Sequence, residues 1–197
     1  MRMAASRTRA EEKALLLLTS GAALLALLAT SASAQAVRIA GPNLSPQGQD
    51  QSLTVSATPA FVNFNLVSGG IASGSNAVAI TTSWNKNSCS SGCTITLYAY
   101  FANSGSALSG GSPAVSIPSS AVLGQVPSGT PTGFTPFTQS SPIGGGGASL
   151  QLYQQSYIKH LDNSRTDNLN LEIDLSSQPQ LPAGTYTGTL YIQAQSL

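Results

Sequence analysis

The chain reads as all-β, an immunoglobulin-like β-sandwich of about seven or eight antiparallel strands preceded by a signal peptide. Three observations carry that reading. Apolar and polar residues alternate in segment after segment, with no comparable helical period. Gly, Pro, Ser and Asn punctuate the segments at short intervals, and the whole chain holds 19 Gly and 11 Pro. Charge is scarce, 8% of residues against about 25% in an ordinary globular domain.

The N-terminus sets the compartment. Arg2, Arg7, Arg9 and Lys13 precede an apolar run from Ala14 to Ala29, followed by Ala32-Ser33-Ala34. That order is a secretory signal with a cut after Ala34. Thr19, Ser20 and Gly21 interrupt the run, which falls short of the roughly 20 apolar residues of a membrane span. No lipid-anchor cysteine, paired arginine or closing apolar tail accompanies it. The expected division is therefore residues 1–34 as signal peptide, 35–50 as an N-terminal arm, and 51–197 as the sandwich. Localisation is expected to be secreted, periplasmic or at a bacterial cell surface, with no membrane span in the mature chain.

Beyond Ala34 the bases are Arg38, Lys86, Lys159 and Arg165, and the acids Asp50, Asp162, Asp167, Glu172 and Asp174. One excess acid and no basic cluster argue against nucleic acid as a partner. Cys89 and Cys93 flank Ser-Ser-Gly. Export to an oxidising compartment makes a disulfide pinning this small loop the expected outcome. The spacing is not that of a thioredoxin-like pair, and His160 is the one histidine available to a metal. No metal or other cofactor is expected.

The strands follow in order. In "SLTVSAT" Leu53, Val55 and Ala57 share a face, and in "FVNFNLV" Val62, Phe64 and Leu66 do. "AVAITTSW" aligns Val78, Ile80, Thr82 and Trp84. "TITLYAYF" aligns Ile95, Leu97, Ala99 and Phe101 against Thr96, Tyr98 and Tyr100. The Cys89–Cys93 loop joins these last two segments, which predicts a hairpin. Residues 104–147 are dominated by Gly, Ser and Pro; "AVLGQV" and "GFTPFT" read as a weak hairpin, and "SGSALSGGSP" as a mobile surface loop. Residues 144–147, "GGGG", lack the Lys-Ser/Thr of a phosphate loop and read as a connection into the strand "ASLQLYQQSYI". "NLNLEIDL" then puts Leu169, Leu171, Ile173 and Leu175 inward and Asn168, Asn170, Glu172 and Asp174 outward.

The final stretch, "LPAGTYTGTLYIQAQSL", sharpens the reading. Gly184-Thr185-Tyr186 sits where a sandwich places a tyrosine corner before its penultimate strand. Tyr186, Leu190, Ile192 and Ala194 share one face of the strand that follows. On this expectation a last strand is missing, and the strand at 186–195 has an edge that recruits another. The N-terminal arm is the candidate, through Leu53-Val55-Ala57 first and Val37 with Ile39 second.

With "LTVSATPAFVNFNLV" at the front and "NLNLEIDLSSQPQLPAGTYTGTLYIQAQ" at the back, the chain resembles small exported bacterial Ig-like proteins related to spore coat protein U and to fimbrial subunits. The resemblance covers both ends of the mature chain and not residues 104–147. It implies a last strand donated by a neighbouring subunit, as in chaperone–usher pilins, where a Gly stands fourteenth from the end with an aromatic at the penultimate position. Gly184 matches the first; Ser196 departs from the second.

Enzyme constellations are weak. His160, Asp162 and Ser164 bring triad residue types together in "KHLDNSR", yet a triad gathers from distant segments, and a polar turn accounts for the same residues. Glu172 and Asp174 share a strand face, as two catalytic carboxylates would, and so does the solvated side of any amphipathic strand. No calcium loop surrounds the acids. Trp84, Tyr98 and Tyr100 are the binding candidates, a platform for a sugar ring if they lie on one outer face; a one-residue slip in the hairpin would send Trp84 to the other. The expected function is that of a non-enzymatic secreted structural or surface protein, coat-like or pilin-like, assembling through strand pairing with itself or another surface subunit. The alternative is a polysaccharide-binding or adhesive module using exposed aromatics.

Overall fold

In the computed structural model, which describes residues 33–40, 53–85, 93–140, 146–157 and 163–196, the alternating segments become strands, most with one buried face and β6 buried along both. The N-terminal half supplies β1 (Ser33–Ala40), β2 (Leu53–Thr58), β3 (Phe61–Asn65), β4 (Ile71–Ser73), β5 (Val78–Trp84) and β6 (Cys93–Tyr100). Three-residue strands β7 (Leu108–Gly110) and β8 (Val115–Ile117) follow, then β9 (Val122–Gln125) and β10 (Thr135–Pro136). The long strands β11 (Ser149–Tyr157), β12 (Asn163–Asp174) and β13 (Tyr186–Ser196) close the described chain. No α-helix occurs among the described residues, and none of their helices is long and apolar enough to cross a membrane.

The strands form two sheets. One runs β11-β6-β13-β1-β3, with β7 on β13 and β8 on β7; the other runs β10-β9-β12-β5-β2, with β4 on β12. The pairings are antiparallel except β1 with β13, which is parallel. The inward faces meet in one core. Val62, Phe64, Ile80, Leu97, Leu171, Ile173, Leu190 and Ile192 are all buried there, and they are the residues that alternation had turned inward.

Three expectations fail, each because pairing is settled between distant segments. The hairpin of the Trp84 and Tyr98 segments does not form. A strand has two edges, and β5 gives its edges to β12 and β2 while β6 gives its own to β11 and β13. The chain instead crosses from one sheet to the other between them. The stretch expected as a mobile loop, "SGSALSGGSP", holds β7, which pairs with β13, and leads into β8; Leu108 and Ile117 are buried beneath them. The preferred arm segment does not reach the C-terminal strand either. Leu53–Thr58 pairs with β5, and the second candidate, carrying Val37 and Ile39, lies beside β13. The weak hairpin of the middle is present as β9 and β10.

The flanks of the sandwich are stitched across. The Ser75 amide donates to the Asn63 carbonyl at 2.8 Å on one side. On the other, Gln139 and Ser149 exchange two backbone bonds of 2.9 and 3.1 Å.

Candidate functional site

The strand β13 and its two flanks form the first candidate region. Gly184 has a φ of 148°, and a side chain there would press a Cβ to 2.7 Å from Gly111 Cα; a glycine is required to bring the chain into β13 against this neighbour. The Tyr186 side chain is fully buried, and its hydroxyl donates to the Pro182 carbonyl at 2.8 Å. Burial pushes that phenol's pKa up. Leu190 and Ile192 follow on the inward face, both buried. Gly188 lets Ala107 pass directly beneath, since a Cβ would overlap the Ala107 carbonyl.

Strand β1 occupies the far edge of β13. Val37 stands opposite Gly188 and Ile39 opposite Leu190, while β3 pairs on the other side of β1 through Val37 and Val62. Val37 is 0% and Ile39 7% exposed, so two side chains of the arm are core residues. The β1–β3 ladder shifts register between Ala34 and Val37, with Ser33 and Ala34 paired to Asn65 and Phe64 on the near side of the expected signal cut.

The outer face of the same sheet forms the second region. Tyr98 and Tyr100 both point outward from β6, in register with Gln193 and Tyr191 of β13 and with Gln151 and Ser149 of β11. Tyr100 and Tyr191 stack with centroids 5.3 Å apart and planes 18° apart. Burial first, and the neighbouring Tyr191 phenol second, raise the Tyr100 pKa. Tyr98 keeps only 9% of its surface. Trp84 is not on this face: it is buried in the core, 4.4 Å from the Tyr157 ring. The structure therefore separates Trp84 from Tyr98 and Tyr100 and supplies Tyr191 in its place.

A third cluster joins the sheets at the Trp84 end. Asp167 is 1% exposed. Its carboxylate accepts from Arg165 Nε and Nη2, each at 2.7 Å, and from Ser128 Oγ at 2.7 Å. Arg165 also donates to the Ser128 carbonyl and to Gln155 Oε1, and lies 4.5 Å over the Tyr153 ring. Every group of this cluster is spoken for except two hydroxyls, Tyr153 and Thr82, which are buried with no hydrogen-bond partner. Desolvation pushes Tyr153 up to about 12, although the nearby Thr82 hydroxyl draws it down. Arg165 and Asp167 sit in phase with Leu169, and that phase was the sequence signal that these charges face inward.

The remaining candidates stay apart. His160, Asp162 and Cys89 lie outside the described residues; Ser164 is exposed on β12, and Cys93 opens β6 at the margin of the core. Glu172 accepts from Ser73 Oγ at 3.0 Å, and Asp174 from the Ser176 amide at 2.9 Å, the Ser176 bonds lowering the Asp174 pKa. Both carboxylates are thus engaged locally. A depression of about 180 Å³ beside Ser73, Phe134 and Glu172 is smaller than the roughly 300–1,000 Å³ of ligand pockets. Among the described residues no cluster of His, Cys, Asp and Glu could hold a metal ion. No protein-family model, no curated protein and no solved structure matches the chain.

Proposed function

We propose that this is a non-enzymatic, exported structural or surface subunit, coat-like or pilin-like, with an immunoglobulin-like topology and assembly through exchange of β1. The observation that carries the reading is Val37 and Ile39 buried in a slot between β13 and β3. Filling such a slot stabilises by roughly 1.5–3 kcal/mol for each aliphatic side chain. That is a large share of a domain's 5–15 kcal/mol. A chain whose slot is empty has reason to take a strand from elsewhere, and residues 41–52 separate β1 from β2 along the sequence. Within one chain β1 closes its own fold; between chains the same contact is heterologous and builds head-to-tail polymers.

Removal of residues 1–34 as a signal peptide fits this reading, because the β1–β13 pairs run from Val37 to Ala40 and lie beyond the cut. The Tyr186–Pro182 bond supports the immunoglobulin-like topology. A Cys89–Cys93 disulfide belongs to the same proposal, on the spacing of the pair and the oxidising compartment that export implies.

The test is made on the chain from Gln35 onward, with size measured by sedimentation before and after unfolding and refolding at high concentration. Refolding is expected to give a ladder of oligomers, and Ile39→Asp is expected to abolish it. A protein that stays monomeric throughout, with β1 in its own slot, would refute assembly by strand exchange.

A further inference from the structure

Strands β11, β6 and β13 turn a face outward on which no residue is charged and none is aliphatic. Its two central rows read Gln151, Tyr98, Gln193 and Ser149, Tyr100, Tyr191 across the strands; Ser149 and Tyr98 are buried among their neighbours, and Gln151, Gln193, Tyr100 and Tyr191 are the half-exposed groups. The outward acids among the described residues, Glu172 and Asp174, lie on β12 of the other sheet. On the neighbouring strand β1, Arg38 stands in register with Thr189, two residues along from the Ala40–Tyr191 pair, and so at the edge of this face.

From this placement we infer that the face binds a neutral, hydroxyl-rich polysaccharide lying across the strands. The argument is one of matched chemistry. A side-chain amide both donates and accepts, as does a phenol, and a sugar hydroxyl does the same. Stripping water from amides and phenols costs far less than stripping it from ammonium or carboxylate groups, so such a face can be covered without a counter-charge. Nucleic acids and anionic surfaces need cations that these three strands lack. The Tyr100–Tyr191 pair adds the apolar part. Near-parallel rings with centroids 5.3 Å apart form an offset stack, which leaves part of a ring face open to the C–H side of a pyranose. Trp84 takes no part, being in the core.

The experiment is affinity electrophoresis of the full mature chain in gels containing hydroxyethylcellulose, a neutral linear glucan, with carboxymethylcellulose as its charged counterpart. Retardation is expected in the neutral gel and less in the charged one. Tyr191→Ala with Gln193→Ala is expected to weaken it about tenfold or more, the scale of losing a central contact. Thr166→Ala, on the outer face of the other sheet, is expected to change nothing. The inference is overturned if hydroxyethylcellulose does not retard the parent, or if the double variant, shown to be folded by its denaturation midpoint, migrates as the parent does. It is overturned equally if the parent self-associates without glucan and the double variant does not, since the face would then be an interface between copies.

Discussion

Tyr153 carries a hydroxyl that is buried and unpartnered, and that burden is visible only against alkali. In the unfolded chain a tyrosine loses its proton near 10.0, whereas the folded protein holds Tyr153 neutral up to about 12. Between those values the unfolded state binds fewer protons than the native state, so stability falls as pH rises from 10.0 to about 12 and is intact below it. At about 1.4 kcal/mol per pKa unit the loss is roughly 2–3 kcal/mol. Tyr100, Tyr157 and Tyr186 are raised in the same direction by their burial. Tyr153→Phe is expected to flatten this alkaline decline by about 2 kcal/mol while leaving stability near neutrality unchanged or slightly higher, because it removes an unsatisfied hydroxyl. Urea denaturation on both sides of pH 10 checks it; an unaltered alkaline slope in the variant would show that Tyr153 ionises freely in the folded protein.

At the scale of the element, β13 depends on how the chain enters it. Gly184 accepts the backbone angle and the close approach of Gly111, and Tyr186 then ties its own hydroxyl back to Pro182. Tyr186→Phe keeps the ring in the core and removes this one bond. The expected cost is about 1 kcal/mol, rising toward 3 if the Pro182 carbonyl finds no other donor. The denaturation midpoint should drop with the slope unchanged, since the surface exposed on unfolding is the same. A variant as stable as the parent would mean that the corner is ornamental. The inward residues of β13 were legible because a strand's side-chain period is two and the pattern is local. Its neighbours were legible only in part: the Val37–Ile39 segment was the second choice for its edge, while β6 and β7 were not foreseen beside it, because they come from far away in the sequence.

Across the whole molecule the two sheets are held by more than apolar contact. Arg165 and Asp167 belong to β12 in one sheet, while Tyr153 and Gln155, which Arg165 also touches, belong to β11 in the other. Breaking such a pair by removing one partner leaves a buried charge uncompensated, at about 3–5 kcal/mol, whereas replacing both by apolar groups is often neutral. Arg165→Met is therefore expected to destabilise by about that amount, and Arg165→Met with Asp167→Leu to recover most of it. Equilibrium denaturation of the three proteins decides the matter. If the single variant loses less than about 1 kcal/mol, the pair behaves like a solvated surface bridge and not as a clamp between sheets.

The sequence by itself determined the class of this protein and the inward faces of β2, β3, β5, β6, β12 and β13, from Leu53-Val55-Ala57 to Leu190 and Ile192, because alternation needs no knowledge of a partner. It also marked Gly184 and Tyr186 as an entrance to a strand. Outside the β9–β10 hairpin, the tertiary structure decided which strands meet. It sent β5 and β6 to opposite sheets, made a paired strand of the stretch around Leu108, and chose Val37 and Ile39 over Leu53 and Val55 to lie beside β13. Pairing is a competition among distant edges for a limited number of places, and it is settled by which combination fills the core, a quantity that no single segment carries.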